Sequence, residues 1–121
     1  MPRLPEHRLS GDLAQLLEGW MSRLALAYAW RLEFIDVCPT HLQWVAGVAP
    51  EDSADQLVQQ VRTRTSEMIF RDFPRLGLDN PSGDFWAPGY LAVSSRMPLP
   101  GEVVGKFIRH TRLRQGVTGE N

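Results

Sequence analysis

A chain of 121 residues, 43% of them apolar and 22% charged, is long enough to bury one hydrophobic core and too apolar to stay disordered, so a single domain over 1–121 is expected. Its formal net charge of −1 argues neither for nor against a nucleic-acid partner, and its single Cys38 excludes an internal disulfide framework and suits a reducing compartment. No apolar run approaches the ~20 residues of a membrane span and the start of the chain lacks the apolar core of a signal peptide, so a soluble, cytoplasmic protein without a membrane partner is expected.

Charge is distributed unevenly. Residues 1–56 hold four Arg or Lys against eight Asp or Glu, whereas residues 57–121 hold nine against six, a surplus of three positive charges. Most of those cations fall on two predicted helices.

In chain order, residues 1–9 carry two prolines and no alternation and read as an irregular arm. After Ser10, the residues Leu13, Leu16, Leu17, Trp20, Leu24 and Tyr28 recur at helical spacing and predict an amphipathic helix over about 12–29. From Arg31 to Val37 the period changes to two, with Leu32 and Phe34 on one face and Ile35 and Val37 on the other. Pro39-Thr40 turns this strand into a second, His41 to Val48, which places Leu42, Trp44, Ala46 and Val48 on one face and His41, Gln43, Val45 and Gly47 on the other.

A loop over 50–52 follows, and Ser53 with Gln56 fits a capping box opening a helix over about 54–72. Leu57, Val58, Val61, Met68 and Ile69 form its apolar side, with Arg62, Arg64 and Arg71 elsewhere, and Phe73-Pro74 stops it. Residues 75–85 are rich in turn formers and read as a loop, and Trp86 to Ser95 as a strand kinked at Pro88-Gly89. A last helix over about 102–114 carries Val103, Val104, Phe107, Ile108 and Thr111 on one face with Lys106, Arg109, Arg112 and Arg114 around it, and residues 115–121 read as a frayed tail. The order helix, strand, strand, helix, strand, helix is an α+β pattern: a ferredoxin-like antiparallel sheet with helices on one face, its first strand missing or broken by Pro2 and Pro5.

The pair His41 and Gln43 shares one strand face, and a His-x-His pair in that arrangement is a two-point metal site. Taken alone, His41 at a turn is more often a structural histidine than a ligand, and Phe107 on an apolar helix face is a core residue by default.

Five collinear blocks, CPTHLQWVAGV, LVQQVRTRTSEMIF, FRDFPRL, FWAPGYLAVSS and VVGKFIRHTRLRQ, together resemble the single-tyrosine HUH transposases of bacterial insertion sequences, including their relatives at repetitive extragenic palindromes. The resemblance spans about residues 10–115 and implies a homodimer with a ferredoxin-like core that binds DNA hairpins and cuts single strands. The family's Met-Pro-Asp/Asn-His-hydrophobic-His signature stands here as Cys38-Pro39-Thr40-His41-Leu42-Gln43. Its nucleophilic Tyr and ligand Gln on the last helix stand here as Phe107 and Thr111.

Gln43 keeps a carbonyl oxygen able to hold Mg²⁺ or Mn²⁺ weakly beside His41, Thr111 is a poorer ligand, and the phenyl ring of Phe107 has no oxygen with which to attack a phosphodiester. The expectation is therefore a pseudoenzyme with no resident cofactor and its catalytic positions degenerate at His41, Gln43, Phe107 and Thr111. It would bind single-stranded or hairpin DNA through Arg62, Arg64, Arg71, Lys106, Arg109 and Arg112. Two other readings stay open, a protein-interaction module derived from a transposase and a residually active single-strand nuclease.

Overall fold

The computed structural model describes residues 1–47, 53–93 and 97–116. Expectations for Val48, for the loop at 50–52, for 94–95 and for the tail at 117–121 fall outside the described residues. Six elements follow one another: α1 (Gly11–Ala27), β1 (Arg31–Cys38), β2 (His41–Gly47), α2 (Ala54–Asp72), α3 (Pro74–Asp79) and α4 (Gly101–Arg114). This is the α+β arrangement expected, with β1 and β2 forming a two-stranded antiparallel sheet backed by helices.

Helix α1 buries Leu13, Leu17, Trp20, Met21, Leu24 and Ala25 along one stripe, the 3.6-residue period made physical. It ends at Tyr28, and Ala29 takes a left-handed conformation (φ 59°) so that the Trp30 amide donates to the Ala25 carbonyl at 3.0 Å. That turn sends the chain into β1 and sets the Trp30 ring against Trp44 of β2 at 5.5 Å. Helix α2 opens on the capping box read from the sequence: Ser53 Oγ accepts from the Gln56 amide at 3.1 Å, and the Ser53 amide donates back to Gln56 Oε1.

The core lies on the helix side of the sheet in two clusters. Leu9, Leu13, Leu17, Trp20, Ile69, Phe85 and Trp86 form one, and Met21, Leu24, Ala25, Trp30, Leu57 and Val61 form the other. From β2, Leu42, Trp44 and Ala46 pack on these clusters together, as their shared face requires.

Four expectations are corrected. The register slips between Leu32 and Phe34, so Glu33 is an extra residue in β1, and Leu32 packs with Ile35 rather than facing the same way as Phe34. Residues 75–85 are not all loop, because Pro74, which cannot continue α2, sits in the first turn of the short α3. Over 86–93 no strand forms, and the segment keeps one antiparallel bridge, Pro2 to Trp86. Finally, α2 buries Thr65 and Ser66 as well as its aliphatic residues. They are acceptable inside because Trp86 Nε1 donates to Thr65 Oγ1 at 2.8 Å and the Phe85 amide donates to Ser66 Oγ at 2.9 Å.

The irregular arm is built into the molecule. Pro2, His7 and Leu9 are buried, the His7 ring stacks on Phe85, and the Leu9 amide donates to the Pro39 carbonyl at 2.9 Å. Helix α4 stands off from the backbones of the other described elements and is tied to the arm, where Arg112 Nη1 and Gln115 Nε2 both donate to the Arg3 carbonyl, at 2.8 and 3.0 Å.

Candidate functional site

A cleft of about 560 Å³ opens between β2, α2, α4 and the segment 86–93. It gathers three of the four positions singled out in the sequence: His41 and Gln43 from the start of β2 and Phe107 from the middle of α4. The β-strand period brings the first two together, and the amphipathic face of α4 turns the third toward them.

His41 is half-buried, and its Nδ1 lies 3.1 Å from the Thr40 hydroxyl. Burial pushes the imidazole below its ordinary value, the ammonium at Met1 adds to that effect, and Asp36 opposes it. The ring is therefore predominantly neutral near pH 7, the state a metal ligand needs.

Thr111 does not join them. It is 2% exposed, its hydroxyl donates to the Phe107 carbonyl one turn back at 2.9 Å, and the same oxygen accepts from Arg114 Nη2 at 3.3 Å. Its oxygen is thus used within α4. Cys38 donates to Asp36 Oδ2 at 3.3 Å, and burial, the first cause, raises its thiol above the ordinary value. Among the described residues no group of three or more His, Cys, Asp or Glu could hold a metal ion. Of the predicted donors, His41 and Gln43 reach the cleft.

Phe107 presents a phenyl ring to the cleft. The tyrosine that does line the cleft, Tyr90, donates its hydroxyl to Asp55 Oδ1, and that hydrogen bond raises its ionisation above the ordinary phenol value. Tyr28, the other tyrosine, accepts from Arg64 Nε at 3.3 Å and lies outside the cleft.

The candidate DNA-contacting cations divide into two groups. Arg62 is spent inside: Nη2 lies 2.7 Å from Asp84 Oδ2 and 3.2 Å from the Trp86 carbonyl, and Nη1 donates to the Gly89 carbonyl at 3.2 Å. Only 14% of its side chain is exposed. Arg112 is likewise occupied by the Arg3 carbonyl and Gln115 Oε1. By contrast Arg64 and Arg71 are exposed, in solvent-facing ion pairs with Glu67 and Asp72. Lys106 and Arg109 are exposed one turn apart on α4, and among the described residues neither has an ion pair. Asp84 is a residue sequence reading missed. It takes Arg62 and Arg3, accepts from the Trp86 amide at 3.0 Å, and so holds the cleft wall in place. An Asp in the turn-forming run SGDF gives no signal that separates it from an ordinary turn residue.

A hairpin whose second strand carries a histidine into a cleft, faced by α4 and backed by α1 and α2, makes the chain a small α+β domain. The chain belongs to the IS200-like transposase family, whose model matches residues 3–111. A crystal structure described as a candidate transposase from Deinococcus radiodurans R1 is similar in fold, with a TM-score of 0.74 at 15% identity, over 97% of this chain and 85% of that one. No curated protein sequence matches the chain.

Proposed function

We propose that this member of the IS200-like family is a DNA-binding protein without strand-transfer activity, acting as a homodimer on single-stranded or hairpin DNA. The observation that carries the reading is Phe107 in the cleft with His41 and Gln43. Family membership supports DNA as the partner. A covalent step needs an oxygen nucleophile, and the phenyl ring supplies none. With Gln43 in place of a second histidine and the Thr111 hydroxyl bonded to its own helix, polarisation of a phosphate by a metal at this site is weak as well.

Phosphate contacts in this reading fall to Lys106 and Arg109 on α4 and to Arg64 and Arg71 on α2, because Arg62 and Arg112 are committed internally. Exposed ion pairs such as Arg64–Glu67 contribute little and exchange readily for phosphate. Binding then falls with a log–log salt slope of about −0.7 per contact on single strands.

Two measurements test this. Labelled hairpin DNA incubated with the protein and Mn²⁺ gives no SDS-stable protein–DNA band, and the Phe107→Tyr, Gln43→His double variant regains a trace of one. Fluorescence anisotropy at low salt shows binding that the Arg64→Gln, Lys106→Gln, Arg109→Gln variant weakens and whose salt slope it flattens by about two units. A covalent band from the native protein would end the inactive reading. No binding at tens of micromolar would favour the interaction module.

A further inference from the structure

Four aromatic side chains line the cleft, and they are not equally occupied. Trp44 stacks on Trp30 at 5.5 Å, and Trp86 meets Phe85 edge to face while its indole donates to Thr65. Phe107 and Tyr90 differ, because among the described residues neither ring has an aromatic partner. Phe107 is half-buried, and Tyr90 is held at the wall by the bond from its hydroxyl to Asp55. Gln43 is the polar counterpart of these rings. Its carboxamide lines the cleft half-buried and has no hydrogen-bond partner among the described residues. It sets a donor beside an acceptor. On α4 the exposed cations Lys106 and Arg109 lie on either side of Phe107 in the sequence.

We infer that the cleft reads one unpaired adenine of a bound DNA strand, stacked on the Phe107 ring and hydrogen-bonded along its edge by Gln43. This rests on the reading of the protein as a DNA binder and adds the base it selects. A volume of about 560 Å³ lies in the range of pockets that take small molecules. An aromatic face accepts any base, so Phe107 supplies affinity and the carboxamide supplies the choice. A carboxamide pairs with an edge that sets a donor next to an acceptor. Adenine does so on both of its edges, N6–H beside N7 and N6–H beside N1, whereas guanine shows two acceptors, N7 and O6, on the first. Cytosine and thymine lack an N7 and offer the second edge alone. Adenine therefore meets Gln43 through either edge, and Lys106 and Arg109 hold the phosphates of the strand as its base turns in.

The test uses the full chain and short oligothymidines whose central nucleotide is thymine, adenine, guanine, cytosine or abasic, followed by fluorescence anisotropy at low salt. The adenine oligonucleotide should bind about tenfold more tightly than the all-thymine one. Gln43→Met, close in shape and without the amide, should erase that preference. Phe107→Leu should weaken the adenine oligonucleotide about tenfold, and Phe107→Tyr, which keeps a ring, should restore it. Adenine bound no more tightly than the other bases, or a preference that survives Gln43→Met, overturns the inference. If salt-dependent binding persists in that case, the DNA-binding reading stands without it. Binding to none of the oligonucleotides ends both. Free deoxyadenosine monophosphate competing as well as the adenine oligonucleotide would assign the cleft to a mononucleotide and overturns the inference too.

Discussion

Arg62 is the clearest case of a residue whose type suggests one role and whose surroundings impose another. Its fork closes on Asp84 and on the Trp86 and Gly89 carbonyls, so removing it takes a donor from both carbonyls at the wall of the cleft and leaves Asp84 to Arg3 and the Trp86 amide. Arg62→Ala is expected to cost about 1–3 kcal/mol in urea unfolding, in the range for leaving partly buried acceptors unpaired. The exposed Arg64→Ala should leave the urea midpoint nearly unchanged. Equal, small losses for both would show that Arg62 is free to face solvent. His41 makes a second test at this scale. Its value is depressed in the fold relative to the ordinary 6.5, so the unfolded chain takes up a proton first as pH falls. The stability it contributes is whole above the ordinary value and is lost as pH drops toward the depressed one. Urea midpoints measured between about pH 7.5 and 5.5 should therefore fall more steeply for the native protein than for His41→Gln. Parallel pH profiles would contradict this.

The elements that sequence reading recovered are those whose signal is periodic or capped. α1, α2 and the hairpin repeat their apolar residues at 3.6 or 2, and the Ser53 and Gln56 spacing marks the start of α2 to the residue. Ser53→Ala should cost about 1 kcal/mol through loss of this cap, measurable as a shift in urea midpoint, and Ser53→Asp should restore it. The readings that failed depend on partners far along the chain. The extra residue at Glu33 shifts Leu32 onto the face of Ile35, and no local pattern announces it. The segment after Trp86 has the composition of a strand, but the arm pairs with it no further than Ala87, and Pro88-Gly89 follow at once. Thr65 and Ser66 read as polar surface because the Trp86 indole and Phe85 amide that satisfy them come from about twenty residues away. Of the candidate site, residue identity was legible at His41, Gln43 and Phe107, which the fold does bring together. The inward turn of Thr111 and the capture of Arg62 follow from packing alone.

At the scale of the whole molecule, the two-stranded sheet has no third strand beside it among the described residues, and exposed apolar side chains on α4, Val103 and Leu113, add to the surface a monomer leaves wet. Light scattering at micromolar concentration is expected to give twice the chain mass, and a monomer mass would count against the dimer. The Arg3 carbonyl has a further consequence, for the time course of folding. It accepts from Arg112 and Gln115 across sequence separations of 109 and 112 residues, nearly the full length of the chain. Closing so long a loop is entropically expensive until the intervening elements have packed, so this clasp forms late, after the hairpin and α1 have made their local contacts. On the ribosome Arg3 emerges well before Arg112 and Gln115, so the nascent chain carries that carbonyl undocked until α4 has followed it out.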